Sequence, residues 1–387
     1  MIVSHLNLTD FRNYTSVDVA MVPGPNVFVG SNGQGKTNLV EALGYLSTLG
    51  SHRVSTDHAM IRTGQDAAIV RARLEHAERQ VLTEVQINRS GANRAQVNRS
   101  AIRTRDLPRY FASVLFAPED LALVRGEPSG RRRFLDELLV QRSPRLSGVM
   151  TDYERVLKQR NTLLKSARSS GLRENGLSTL EIWDERLVAL GSEIIEERSR
   201  LIAELLPEVA AAYTAIAGAE HSATLMTQLS VLAKSGDDEV DDAATRGGVL
   251  TAAEAAEFFR AALARLRRAE LDRGITLVGP HRDDLVLILN DLPARGYASH
   301  GESWSFALAL KLASAEVLRR ESPSGDPVLI LDDVFAELDQ SRRARLASAV
   351  GGFEQVLITA AVLEDVPEQL AGHIVRIRAG AVVEDDA

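Results

Sequence analysis

The sequence predicts an α/β fold, with a head assembled from both ends of the chain and a mainly helical insert between them. Three observations predict it. Gly30-Ser31-Asn32-Gly33-Gln34-Gly35-Lys36-Thr37 fits G-x-x-x-x-G-K-[ST] and lies between an apolar strand and an amphipathic helix. Leu329-Ile330-Leu331-Asp332-Asp333, far downstream, ends a second apolar run in two carboxylates. Between them, from about 131 to 206, the pattern turns helical with few strand signals. Two parts of one nucleotide site thus stand at opposite ends of the chain, as an inserted segment in a P-loop head requires.

The elements follow in order. Ile2 to Leu8, Val17 to Met21 and Asn26 to Val29 read as strands, and a helix follows Lys36-Thr37, with Leu39, Val40, Leu43, Leu46 and Leu49 apolar. Residues 68–98 alternate as antiparallel strands, clearest at 68–74 and 81–87. One helix is expected over about 145–168, broken by Ser169-Ser170-Gly171 and Asn175-Gly176. A second spans about 178–206 and stops at Pro207. Leu180, Trp183, Leu187, Leu190, Ile194, Leu201 and Leu205 give it a heptad-like seam, the pattern of a two-helix coiled hairpin. That seam fits either a helix packed on its domain or a short projecting coiled-hairpin arm. Asp237, Asp238, Glu239, Asp241 and Asp242 mark a solvated loop. Thr251 with Glu254 forms a capping box opening a helix to about Arg268. A strand at Leu285 to Leu289 and a helix at about 302–320 follow. Val328 to Leu331 and Val356 to Thr359 read as fully buried parallel strands. The expected division is 1–110 for the N-terminal part of the head, 111–274 for the insert and 275–387 for the C-terminal part of the head.

Composition narrows the class. The chain has 387 residues, 45% hydrophobic and 25% charged, with a net charge of −8, which excludes a largely disordered or low-complexity protein. Cysteine is absent, so a disulfide framework, a thiolate zinc site and a cysteine nucleophile are excluded. No apolar run is long enough to span a membrane, and Met1 to Asn7 has no basic n-region or apolar h-region, so a cytoplasmic location is expected.

In the phosphate loop the glycines let backbone N–H groups curl around phosphates, and the helix start adds positive dipole. Gly30, Ser31, Asn32, Gly33, Gln34 and Gly35 would line the nucleotide. Lys36 would reach its β- and γ-phosphates, and Thr37 would ligate Mg²⁺. Asp332 would hold Mg²⁺ directly or through water. Asp333 would sit near the attacking water as general base or orienter, the alternative being an acidic cap for the following helix. Ser299-His300-Gly301-Glu302 opens the next-to-last long helix, and Ser299 and Gly301 there make a candidate second anion site or a plain N-cap. Residues 89–109 carry Arg89, Arg94, Arg99, Arg103, Arg105 and Arg109 against the single acid Asp106. Without interleaved aromatics this is a backbone binder for nucleic acid, favouring duplex or duplex beside a gap, or else a solvated face. Arg131, Arg132 and Arg133 are further candidates, with an exposed helix face as the alternative. Little sequence specificity is expected.

Several stretches resemble the RecF family of bacterial recombination mediators, within the ABC-type ATPases of chromosome maintenance and repair. They are Leu8-Thr9-Asp10-Phe11-Arg12-Asn13-Tyr14, Phe116-Ala117-Pro118-Glu119-Asp120-Leu121, Arg131-Arg132-Arg133-Phe134-Leu135-Asp136, Gly279-Pro280-His281-Arg282-Asp283-Asp284 and Asp332-Asp333-Val334-Phe335-Ala336-Glu337-Leu338-Asp339. The resemblance implies an ABC-type head that binds ATP and Mg²⁺ and forms a head-to-head homodimer. In it, each ATP is sandwiched between one subunit's phosphate loop and the other's signature at Ser299 and Gly301. It further implies DNA binding at gaps and work with RecR and RecO to help RecA replace single-strand-binding protein. Roles in replication restart and the SOS response follow from the same likeness. The signature usually has glutamine where His300 and Glu302 stand. Thr359-Ala360-Ala361 lacks a switch histidine, and Asp333 is shorter than the glutamate common in ABC ATPases. These departures point to slow hydrolysis, a switch more than a motor, and the resemblance implies that DNA stimulates it. The alternatives are the nucleotide-binding subunit of an ABC transporter and a non-catalytic ATP-binding adaptor.

Overall fold

The strand that leads into the phosphate loop, Gly24–Val29, is hydrogen-bonded on both sides to strands from the far end of the chain. Gln355–Ala360 pairs with it in parallel on one side and His373–Arg378 on the other. In the computed structural model, which describes residues 1–170, 178–218, 221–233, 245–246, 248–322 and 325–383, this six-stranded sheet is completed by Val328–Asp332, Ser113–Phe116 and the antiparallel edge strand Ala381–Val383. Every residue of Val328–Asp332 and Gln355–Ala360 is buried, the pattern of a parallel sheet covered on both faces. A second six-stranded sheet is antiparallel, in the order Tyr14–Ala20, Ile2–Phe11, Ala67–His76, Arg79–Asn88, Arg94–Val97 and Ser100–Ile102. Leu6, Leu8, Val70, Ala72, Val85 and Ile87 alternate onto its inner face. They share one core with Phe28, Leu39, Leu43, Leu46, Val328, Ile330 and Leu357, so the phosphate-loop helix Lys36–Thr48 lies in that core. An α/β head built from both chain ends is what the pattern of strands required.

The chain divides into two compact units. One comprises Met1–Val124, Glu208–Ser222 and Ala298–Ala387; the other comprises Arg125–Pro207 and Ala223–Tyr297. The expected boundaries at 110 and 274 fall inside these units, and pairing explains why. Ser113–Phe116 lies in register with Val328–Leu331, which ties it to the head. Asp284–Leu289 pairs with Ala223–Gln228 in a four-stranded antiparallel sheet, which ties it to the insert. Ala223–Gln228 alternates buried and half-buried residues in a run too short to stand out from its helical surroundings.

The second unit is mostly helical: Pro128–Arg142, Leu146–Ser170, the long helix beginning at Ser178, and Ala252–Arg273. The long helix does not stop at Pro207 but runs on to Ala217. Proline removes one intrahelical donor, and burial of Leu205 and Val209 on either side of it offsets that loss. The heptad seam is used for packing. Leu187, Val188, Ile194 and Ile195 join Tyr153 and Val156 and also Phe259, Ala262 and Leu263 of a third helix in one cluster. A fully buried arginine, Arg160, donates to Asp184 (2.7 Å), Glu270 (2.6 Å) and Thr276 (2.8 Å) and pins three segments together. The capping box at Thr251 forms as its sequence predicts: Glu254 N donates to Thr251 Oγ1, and the Thr251 amide donates to Glu254 Oε2. Of the break expected at Ser169-Ser170-Gly171, the two serines still belong to the helix Leu146–Ser170, whereas Gly171, Asn175-Gly176 and the acidic segment Asp237 to Asp242 lie outside the described residues. Among the described residues no helix is long and apolar enough to cross a membrane.

Candidate nucleotide site

The phosphate loop is held from behind by backbone and side chains remote in sequence. A Cβ on Gly30 would lie 2.2 Å from the carbonyl oxygen of Ile377, so only glycine lets the loop leave the sheet there. Gly35 has φ +116°, and a Cβ on it would meet the Tyr14 hydroxyl at 2.7 Å. That hydroxyl donates to the Gly35 carbonyl (3.0 Å). The Gln34 carbonyl accepts from Gly380 N (3.1 Å) and Asn13 Nδ2 (3.2 Å), and its side-chain Oε1 accepts from Ala379 N (2.6 Å). Lys36 is 3% exposed and its Nζ donates to Ser31 O (3.4 Å). The resulting cleft is lined by Asn32, Gly33, Gly35, Lys36, Thr37, Asn38, Arg53 and Asp333. No side chain caps the start of Lys36–Thr48, which leaves its first N–H groups to an incoming anion.

The second strand brings its carboxylates to the same place. Thr37 Oγ1 donates to Asp332 Oδ1 (3.0 Å), and Thr359 Oγ1 donates to the same oxygen (2.6 Å). Burial pushes the Asp332 pKa up to about 6. The negative charge of Asp333 adds to the rise, and the two threonine hydroxyls oppose it. Asp333 sits at φ +51°, its amide donating to Thr359 Oγ1 (2.9 Å). It caps no helix: the next α-helix, Gln340–Val350, is capped by Asp339. Thr37 and Asp332 suit Mg²⁺ that arrives with a nucleotide, since that ion keeps waters and phosphate oxygens and needs few protein ligands. Accordingly, no three His, Cys, Asp or Glu side chains gather into an all-protein metal cage among the described residues.

Sequence reasoning missed the group that ties this site together. Glu41 is buried on the phosphate-loop helix. It accepts from Arg12 Nε (2.8 Å) and from Ser51 Oγ (2.5 Å), and Arg53 lies 3.6 Å away. Burial alone would raise its pKa, but the hydrogen bonds of Arg12 and Ser51 and the two guanidinium charges outweigh it and hold it below the ordinary value. Arg53 in turn donates to Asn38 Oδ1 (2.9 Å) at the cleft. A lone acid within the helix's otherwise apolar stretch was the signal in the sequence.

Ser299 and Gly301 lie at the start of the helix His300–Glu321. Ser299 is its N-cap: its Oγ accepts from Glu302 N (3.3 Å), while its amide donates to Glu302 Oε2 (2.7 Å). The Ser299 hydroxyl first, and then its amide, hold the Glu302 carboxyl below its ordinary pKa. The departure from glutamine at 302 thus completes a capping box. His300 Nε2 accepts from Trp304 Nε1 (3.0 Å). The Arg342 guanidinium lies against Gly301, where a Cβ would be 2.9 Å from Nη1, and is itself held by Asp339 (2.8 Å).

The arginine candidates separate. Arg94, Arg99, Arg103 and Arg105 are exposed and pair with no acid among the described residues. Arg99 is in the two-residue turn between Arg94–Val97 and Ser100–Ile102, at φ +67°. Arg131 is a correction. It is 3% exposed and forks onto Asp284 through Nε and Nη2, each at 2.7 Å, so its charge is spent inside the insert and is closed to nucleic acid. Arg132 is half-buried and donates to the Asp283 carbonyl (2.7 Å), and Arg133 is exposed but bonded to Glu137 (2.7 Å).

Known proteins resemble this chain in sequence and in fold. The family described as RecF/RecN/SMC N terminal domain matches residues 2–378. A protein of Clavibacter sepedonicus named DNA replication and repair protein RecF is 68% identical over 388 residues, covering 99% of this chain and 95% of that protein. One of the same name from Leifsonia xyli subsp. xyli is 64% identical over 386 residues, covering 99% of this chain and all (100%) of that protein. A solved structure of the recombination mediator protein RecF with ATP, in the RecFOR pathway, superposes with a TM-score of 0.86 at 28% identity. It covers 98% of this chain and 96% of that chain.

Proposed function

The chain belongs to the RecF family of recombination mediators, and on that premise we propose that it binds ATP and Mg²⁺ and, so loaded, clamps DNA as a homodimer. The observation that carries the reading is the meeting of the phosphate loop with the buried strand end, Thr37 donating to Asp332 at 3.0 Å beside a cleft that contains Lys36 and Asp333. Lys36 and the backbone of Gly30 to Gly35 would hold the phosphates. Thr37 and Asp332 would hold Mg²⁺, which supplies charge neutralisation of the phosphate oxygens. Asp333 would orient the attacking water. Its short side chain and the absence of a histidine after Thr359 favour slow turnover, consistent with a switch.

DNA binding is supported by Arg94, Arg99, Arg103 and Arg105, exposed and without an acidic partner among the described residues, which suit a phosphate backbone and no particular sequence. Duplex next to a single-strand gap is the proposed target, with single strands bound less well for want of stacking aromatics. Ser299 and Gly301 would meet the γ-phosphate held by the partner's loop. The proposed partners are those of the RecFOR pathway, RecR and RecO, with RecA loading, gap repair, replication restart and SOS induction as the outcome. Family membership disposes of the transporter-subunit alternative. The test is the mass of the particle by light scattering, with and without ATP–Mg²⁺ and gapped duplex. A dimer that requires ATP and gains DNA is expected; a nucleotide-independent monomer that ignores DNA overturns the reading.

A further inference from the structure

The loop 51–54 is fixed by protein groups alone. Ser51 Oγ accepts from Arg53 N (3.0 Å) and Val54 N (3.2 Å) and donates to the buried Glu41, which Arg12 grips in turn. What this anchored loop carries inward is His52. Its side chain is 17% exposed, and its Nε2 is buried with no hydrogen-bond partner among the described residues. That nitrogen lies 3.9 Å from Asp332 Oδ2. The other oxygen of the same carboxylate, Oδ1, already receives the hydroxyls of Thr37 and Thr359. One face of Asp332 is therefore filled, and the other looks at a ring nitrogen that has nothing else to bond. A buried polar atom without a partner has given up its hydrogen bonds to water for nothing, a cost relieved only when the nitrogen gains an acceptor.

We propose that His52 is a positioning residue for the metal end of the site: when Mg²⁺ and nucleotide are taken up, its Nε2–H closes on Asp332 Oδ2 and fixes the carboxylate between two hydroxyls and one imidazole. The inference rests on the nucleotide reading above. An imidazole N–H is a good donor for a carboxylate oxygen, and Oδ2 is the oxygen that the two threonine hydroxyls leave open. Residues that orient a metal-binding carboxylate from behind affect affinity for the metal, and their loss costs about 10–100-fold. They leave the grip on phosphate, which here belongs to Lys36 and the loop backbone, unchanged.

The full-length protein with ADP and Mn²⁺ provides the test, free Mn²⁺ being read by electron paramagnetic resonance and metal-free ADP binding measured in EDTA. His52→Leu keeps the volume and removes the donor; His52→Gln places an amide N–H near the same point. We expect His52→Leu to weaken Mn²⁺ binding in the ADP complex by about 10–100-fold, with metal-free ADP binding unchanged and His52→Gln restoring most of the loss. Equal Mn²⁺ affinity in His52→Leu and wild type overturns the proposal. So does His52→Gln as weak as His52→Leu, or a parallel loss of metal-free ADP binding, which would make His52 a prop for the loop. Wild-type protein that binds neither ADP nor Mn²⁺ overturns the nucleotide reading itself, a different outcome from any of these.

Discussion

Lys36 and Asp332 are charged groups taken out of water, and on the proposed reading each is there for a ligand. Among the described residues Lys36 has one weak acceptor, the Ser31 carbonyl at 3.4 Å, which would leave its ammonium ready for phosphate. We expect Lys36→Ala to abolish ATP-dependent dimerisation, as read by light scattering, because Lys36 is the cation at the helix start and Arg53, the other cation lining the cleft among the described residues, is held by Asn38. Asp332 makes a prediction about pH. Its folded pKa of about 6 lies above the ordinary 3.8, so its contribution to stability is largest below the ordinary value and is lost as pH rises through about 6. At pH 8 the buried carboxylate costs about 3 kcal/mol, at roughly 1.4 kcal/mol for each tenfold change in its acidity. Asp332→Asn should therefore raise the melting temperature at pH 8 while removing Mg²⁺-dependent nucleotide binding, and the gain in stability should vanish near pH 4. In the wild type, Mg²⁺-dependent binding should weaken as pH falls through about 6, because proton and metal compete for one carboxylate. A melting temperature for Asp332→Asn below that of wild type at pH 8 would contradict this account.

At the scale of the element, a helix start does its work only when its first turn is open. The helix Lys36–Thr48 begins at a glycine with no side-chain cap, whereas His300–Glu321 begins in a closed capping box with Arg342 lying on Gly301. The second helix thus holds a cation and a cap where a phosphate would come. Gly301→Ala would press a methyl group onto the Arg342 guanidinium, the far end of a flexible side chain that can move. We expect a stability cost under about 1 kcal/mol, with ATP-dependent dimerisation lost and ATP binding by the monomer kept. Ser299→Arg should behave alike, for it fills the same place and removes the cap. Monomer ATP binding lost in either variant would place the signature in the subunit's own site. At 299–302 the sequence showed a possible anion site or a plain N-cap; that Glu302 closes a capping box was legible only once Ser299 N lay 2.7 Å from its carboxylate.

At the scale of the whole molecule, the arginines divide by what the fold does with their charge. Neutralising Arg99, Arg103 and Arg105 together should weaken duplex binding evenly across sequences, and each phosphate no longer neutralised should flatten the log–log salt slope by about 0.9. The fold should be untouched, since all three are exposed and pair with no acid among the described residues. Arg131→Ala should do the reverse: about 3–5 kcal/mol of stability lost, as Asp284 is left behind as half of a broken fork, with the salt slope of any remaining folded protein unchanged. A salt slope that falls with Arg131 and not with the triple variant would invert the assignment.

The sequence by itself determined the parts whose physics is local. The glycine spacing of the phosphate loop, the apolar runs ending in Asp332 and Asp333, and the capping residues at Thr251 and Ser299 each act within a few residues of themselves. Their chemistry could be read before any contact was known. Tertiary structure alone decided what depends on distant partners. Ser113–Phe116 joined the head because Val328–Leu331 offered it a register. Asp284–Leu289 joined the insert because Ala223–Gln228 did the same. The long helix ran through Pro207 because burial on both sides outweighed one missing donor. Arg131 became an interior ion pair, and Arg99, with the same side-chain chemistry, stayed in solvent. Side-chain type fixes what a group can bond, but burial fixes its energy, and burial belongs to the packed chain.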